Sequence, residues 1–321
     1  MGDQDTTAGK ALPDWLQRLY PFKPRRHAVG LHGLNYIDAG PPSDEAVVLV
    51  HGNPTWSFYY RELIAALVAA GRRCVAPDHL GMGLSDKPEF YPYRLATHLE
   101  NFSRLLETLK LRRVHLVVHD WGGAIGCGWA VKNPDRVGRL VILNTAAFPD
   151  PRLPFRIRVC RAPLVGEFLV RRCNAFAGPA TRMAMHRRPM SDEVKRGYLF
   201  PYDSAAHRIG VARFVQDIPR RAGDPSMGTL EEIAVGLPKL RPHPAMIVWG
   251  GADFCFTKHF YNRWLEILPQ SQAYFIADAG HYVLEDAGVE IIPRITAFLA
   301  AGTDAAAQRS GRMTTAARGR P

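Results

Sequence analysis

Short runs of almost unbroken apolar residues recur along this chain, at 46–50, 73–76, 114–118, 140–143, 246–249 and 274–276. A strand that is apolar on both faces has to be covered on both faces, unlike a strand of a sheet that is half open to water. The stretches at 60–70, 97–109, 123–132 and 290–300 place apolar residues three or four apart, so they supply the covers as amphipathic helices. The alternation predicts an α/β domain with a mostly parallel, doubly wound sheet. With 47% of its 321 residues apolar and 22% charged, the chain can fill one large core.

The alternation stops near Phe148 and resumes near Pro244. Residues 150–221 are rich in Pro and Arg and helical in pattern. They predict a helical cap inserted into a core made of 13–149 and 222–300, lying over the strands' carboxyl ends, where open α/β sheets bind ligands. Residues 1–12 and 301–321 lack apolar periodicity and read as disordered tails, the second one basic.

The formal net charge is +11, but 150–221 holds 15 Lys and Arg against 6 Asp and Glu, so +9 of it belongs to the cap. A basic cap without a nucleic-acid motif excludes no fold but argues against a nucleic-acid partner. It is expected either to dock a partner or an anionic carrier, or to be a solvated helix face. No apolar run approaches the roughly 18 residues of a transmembrane segment, and the N-terminus has no signal pattern, so the expected location is cytoplasmic. Cys74, Cys127, Cys160, Cys173 and Cys255 form no Cys-x-x-Cys pair and are expected as buried free thiols. Neither a metal nor an organic cofactor is expected.

The strand at 114–118 runs through His119-Asp120-Trp121-Gly122-Gly123 into a helix. That is the place of a nucleophile elbow, whose sharp turn needs small residues on its helix side. Asp120 stands at the tip where the common form of the motif has serine, and Val118 replaces its first glycine. A carboxylate suits displacement at a saturated carbon, forming an alkyl-enzyme ester; the alternative is that Asp120 only caps the helix. After the strand ending at Val50 comes His51-Gly52-Asn53-Pro54, so the backbone N–H groups of Asn53 and Trp121 fill the oxyanion positions. Asn53 Nδ2 and the Trp121 indole N–H are uncharged donors suited to a leaving anion. His281, in a Gly-His loop after the last strand, is the candidate base. Asp253, after the strand 246–249, is the candidate acid that orients it, because the end of the preceding strand holds Asn144.

Three stretches together resemble the haloalkane dehalogenase group of the α/β-hydrolase fold across residues 14–299: His51-Gly52-Asn53-Pro54-Thr55, the run from Pro77-Asp78-His79 to Asp86-Lys87-Pro88, and the elbow. Within that group, Asn174-Ala175-Phe176-Ala177-Gly178-Pro179-Ala180, Gly197-Tyr198-Leu199-Phe200-Pro201-Tyr202, Asp253-Phe254-Cys255-Phe256 and His281-Tyr282-Val283-Leu284-Glu285-Asp286 are most similar to the β-lactone decarboxylases of bacterial long-chain olefin biosynthesis. Where dehalogenase lids often read Trp-Pro-Arg-Glu-Ile-Pro, this chain reads Phe214-Val215-Gln216-Asp217-Ile218-Pro219. The resemblance implies a hydrophobic substrate, a cis-dialkyl β-lactone converted to a cis-alkene and carbon dioxide through Asp120, and a β-lactone synthetase as partner. Haloalkane hydrolysis is the alternative. The sequence leaves open whether His281 orients, protonates or activates water. An epoxide hydrolase, with Tyr198 and Tyr202 as proton donors, and a non-catalytic binding protein are the remaining readings.

Overall fold

The protein is described by a computed structural model covering residues 12–301. The expected tails, apart from Leu12 and Ala301, lie outside the described residues. After helix α1 (Asp14–Leu19), strands β1 (Pro24–Val29) and β2 (His32–Ala39) form a hairpin, followed by β3 (Glu45–Val50), α2 (Arg61–Ala69), β4 (Cys74–Pro77), α3 (Leu95–Thr108), β5 (Arg113–Asp120), α4 (Trp121–Lys132) and β6 (Val137–Thr145). The strands join β7 (Ala245–Gly250) and β8 (Gln272–Ile276) in one eight-stranded sheet of order β1-β2-β4-β3-β5-β6-β7-β8. β1–β2 and β2–β4 are antiparallel pairs; all others are parallel.

Val47 to Val50, Leu116 to Val118 and Leu140 to Leu143 are buried at every position, as strands covered on both faces must be. Helix α4 packs against β3, β5 and β6 and against α3; α2 packs with the C-terminal helix. The β1–β2 hairpin was not legible in the pattern. β1 is an edge strand, Pro-Arg-Arg-His-Ala-Val, and an edge strand carries charge without loss because half of its surroundings are solvent.

Between β6 and β7 the chain leaves the sheet to build the cap: α5 (Phe155–Arg161), α6 (Val165–Arg171), α7 (Ala177–Met183), α8 (Asp192–Leu199) and α9 (Ile209–Gln216). It returns through α10 (Met227–Gly236), which packs on α4. The Ser191 hydroxyl caps α8 by accepting from the Val194 N–H. After β7 come α11 (Lys258–Ile267), β8, the short α12 (Val283–Asp286) and α13 (Gly288–Ala300). Among the cysteines, Cys74, Cys127 and Cys160 are buried and free, but Cys173 is exposed and Cys255 half-buried, so two of the five thiols are not the core groups expected.

The cap meets the core at a largely buried charge cluster. Arg61 at the start of α2 forks onto Glu285 of α12, with Nη2 to Oε2 at 3.0 Å, and Tyr198 of α8 donates to the same carboxylate at 2.6 Å. Removing one partner of a buried pair strands the other charge. Arg61→Met is therefore expected to cost about 3–5 kcal/mol in urea unfolding, with Arg61→Met/Glu285→Leu recovering much of the loss. A single variant within about 1 kcal/mol of wild type would show that the pair adds nothing to stability.

Candidate active site

Asp120 is the last residue of β5, and α4 begins at the next position. Its backbone sits at φ 52° and ψ −127°, a strained conformation for a side chain-bearing residue. Two features hold it there. A Cβ on Gly122 would lie 1.9 Å from the Val50 carbonyl oxygen, so the turn can approach β3 only with glycine at that position. On the other side, the Thr145 hydroxyl at the end of β6 donates to the Asp120 carbonyl. The Asp120 carboxylate does not cap α4 in the usual way, at the N–H groups of the helix's second or third residue.

The carboxylate turns instead toward the loop after β3. Asn53 donates its backbone N–H to Asp120 Oδ1 at 2.6 Å, and the backbone N–H of the following residue, Trp121, is close enough to favour the charged carboxylate. Gly52 makes the approach possible, since a Cβ there would fall 2.1 Å from Oδ1. The loop is fixed from behind by paired imidazoles: the His79 N–H donates to His51 Nε2 at 3.1 Å, and His79 Nε2 lies 3.0 Å from the His51 carbonyl. Oδ1 thus sits on the Asn53 N–H, and Oδ2 lies 3.8 Å from His281 Nε2. Burial raises the Asp120 pKa above the ordinary carboxylate value, against the opposing pull of the His281 charge and the two N–H groups.

His281 Nδ1 is 2.7 Å from Asp253 Oδ2. A carboxylate only accepts, so the proton lies on Nδ1 and Nε2 faces Asp120. Burial alone would lower the His281 pKa; Asp253, through charge and hydrogen bond, and the Asp120 charge outweigh it and raise it. Asp253 is itself held at both oxygens, by Asn144 Nδ2 at 2.9 Å and the Cys255 N–H at 2.6 Å. The chain therefore brings together the residues 120, 253 and 281, which the sequence marked as nucleophile, acid and base.

Two further residues join them that the sequence reading did not single out as participants. Asn144, set aside because it is not an acid, is the donor that positions Asp253; its place at the end of β6 was the available signal. The His119 ring packs against the His281 ring, tilted by 41° at 4.4 Å between centroids, with its Nε2 3.0 Å from the His281 carbonyl. Burial pushes its pKa well below the ordinary value, so it stays neutral and donates from Nε2.

Above Asp120 lies a cavity of about 430 Å³, within the range of small-molecule sites. Asn53, Trp121 and His281 line its floor, and Phe148, Leu153, Ile157, Leu169, Phe176 and Met183 make its walls apolar. The exposed residues Arg152, Phe155, Arg156, Pro179 and Phe254 also line it, which places the mouth between the start of α5, α7 and the loop after β7. The Trp121 ring is fixed edge-on by Phe214 at 5.4 Å. The Asn53 side chain is placed less freely than expected: one N–H of Nδ2 is spent on the Val211 carbonyl at 3.1 Å, while Oδ1 is buried without a partner.

A sequence profile described as alpha/beta hydrolase fold matches residues 45–288. The chain belongs to the α/β-hydrolase family. Among α/β-hydrolases it is 46% identical to a cis-3-alkyl-4-alkyloxetan-2-one decarboxylase of Shewanella oneidensis, over 88% of this chain and 90% of that one. It is 43% identical to the protein of the same name in Xanthomonas campestris, over 87% and 97%. Haloalkane dehalogenase 2 of Mycobacterium tuberculosis is 34% identical over 84% and 92%. Among solved structures, haloalkane dehalogenase DbeA from Bradyrhizobium elkani superposes with a TM-score of 0.79 at 26% identity, over 89% of this chain and 99% of that one.

Against this α/β-hydrolase background the two cap tyrosines take definite roles. Tyr198 donates to Glu285, and Tyr202 donates to the Thr55 carbonyl at 3.4 Å and accepts from the Gly83 N–H. Neither lines the cavity. Burial raises both pKa values, and neither hydroxyl reaches the cavity above Asp120, which removes these two as the proton donors an epoxide hydrolase would use here.

Proposed function

We propose that this protein converts a cis-3-alkyl-4-alkyl β-lactone to a cis-alkene and carbon dioxide, with Asp120 as nucleophile. The observation that carries the reading is the likeness to two decarboxylases at 46% and 43% over nearly nine-tenths of the chain, against 34% for the dehalogenase. The apolar cavity supports a dialkyl substrate, and the partly spent Asn53 amide is a poorer cradle for a leaving halide than a free one.

Asp120 Oδ2, the oxygen not held by the Asn53 N–H, attacks the ring carbon that bears the lactone oxygen. That C–O bond breaks, and the freed carboxylate remains on the neighbouring carbon. Loss of carbon dioxide then sends the C–C bonding pair into the new double bond while the ester C–O bond breaks, returning Asp120 as carboxylate. No water or proton is consumed. Inversion at the first step followed by anti elimination at the second keeps the alkyl groups cis. Asn53 and Trp121 N–H groups hold Oδ1 as it turns from carboxylate to ester carbonyl and back, and Asp253 and Asn144 keep His281 beside the reacting oxygen. The expected supplier of the lactone is a β-lactone synthetase. The core and cap boundaries, 13–149 with 222–300 and 150–221, and a cytoplasmic location belong to the same reading.

Incubation with a short cis-dialkyl β-lactone and, separately, with 1-bromobutane tests it. Alkene and carbon dioxide in equal amounts are expected from the lactone; sustained bromide release without any alkene would overturn the reading in favour of dehalogenation.

A further inference from the structure

The cap exposes apolar side chains at its outer edge. Leu164 is 84% exposed, Phe155 70%, Val165 60% and Phe168 60%. Single exposed apolar residues are ordinary, but these four occupy one helical hairpin, α5–α6. Leu164, at its tip, is held at φ 58°, so a large apolar side chain is displayed where turns usually carry glycine or asparagine. Val165 and Phe168 share one stripe of α6 that the N-cap Leu164 and the C-cap Arg172 extend at either end, whereas Val170 is turned inward and fully buried. On α5, Phe155 and Arg158 share the outer face in a cation–π contact while Ile157 and Cys160 turn inward and line the cavity.

The arginines sort into two sets. Arg171 is tied to Glu89 and Glu167; Arg161 pairs with Asp224 and Arg213 with Glu167. Among the described residues, none of the ion pairs engages Arg156, Arg158 or Arg172, all exposed and all on or beside the hairpin. An apolar crown ringed by unpaired arginines is complementary to an anionic lipid surface, with side chains entering the acyl boundary and guanidinium groups on headgroup phosphates.

The geometry points to the α5–α6 hairpin as a surface that docks the protein on anionic lipid, with the α5 side of the cavity mouth, at Phe155 and Arg156, facing the bilayer. The function of this placement rests on the proposed reaction: a dialkyl alkene has no polar group, so a mouth against acyl chains lets it leave without crossing water.

Sedimentation of the full chain with vesicles tests the docking without any substrate. Phosphatidylcholine vesicles containing about one-third phosphatidylglycerol are expected to bind wild type at least about tenfold better than pure phosphatidylcholine, with binding lost as salt rises well above about 0.1 M. Leu164→Glu/Phe168→Glu, which alters no cavity-lining residue, should lower binding to the mixed vesicles by at least about tenfold. The double variant should turn over a short, soluble lactone as wild type does and melt at the same temperature. Wild type that sediments no better than the double variant, or equally with both vesicles, would overturn the lipid assignment and leave the crown to a protein partner. Loss of turnover in both proteins with vesicle binding intact would count against the reaction alone.

Discussion

Replacing the nucleophile with its isostere, Asp120→Asn, is expected to reduce alkene formation by more than about a thousandfold, the scale on which covalent nucleophiles are lost. The amide oxygen can keep its place on the Asn53 N–H, while the amide nitrogen, turned toward His281, has no free pair with which to attack. Asparagine also tolerates positive φ, so the elbow at φ 52° should survive and the melting temperature should stay near that of wild type. The wild-type pH profile carries the same assignment. Attack requires the ionised carboxylate, and burial raises the Asp120 pKa, so activity should fall with acid at a pH above the usual carboxylate range. Residual activity within about tenfold of wild type in a folded Asp120→Asn protein would remove Asp120 from the chemistry.

His281→Ala should divide the two chemistries this site can begin. With an alkyl halide, Oδ2 attacks and the ester then needs an activated water, a role worth about 10² to 10⁴ in rate. The variant is therefore expected to release one equivalent of halide and stop, with intact mass showing the protein plus one alkyl group. Decarboxylation of the lactone-derived ester needs no water, so alkene should continue to form at a rate lowered by less than about a hundredfold. Part of that loss has an electrostatic origin: the imidazole charge helps keep Asp120 ionised, so without it the acid limb should move to higher pH. A stable lactone-derived adduct with no alkene would overturn the water-free second step and give His281 a direct part in it.

Much of the architecture was legible because it is local. Unbroken apolar runs located β3 to β8 and period-3.6 apolar patterns the sheet-covering helices α2, α3, α4 and α13, since burial on both faces or on one stripe constrains residues that are near in sequence. The β1–β2 hairpin escaped for the opposite reason: Arg25, Arg26 and His27 sit on an edge where half the surroundings are water. The elbow was readable because Gly122 and Gly123 follow Asp120 directly, and steric demands on a turn are set by its own residues.

Tertiary structure decided what depends on direction and on distant partners. Asn53, 67 positions away, occupies Oδ1 and so leaves Oδ2 as the free oxygen of Asp120. Asn144, 109 positions from Asp253, donates to it, a role that its lack of charge concealed. The sequence placed 15 basic residues in the cap. Only packing distinguished Arg171, clasped by Glu89 across 82 positions, from Arg156, Arg158 and Arg172, which keep their charge for the surface. Composition fixes how many charges a segment carries, but whether each is neutralised is set by which carboxylates the folded chain brings within hydrogen-bond reach.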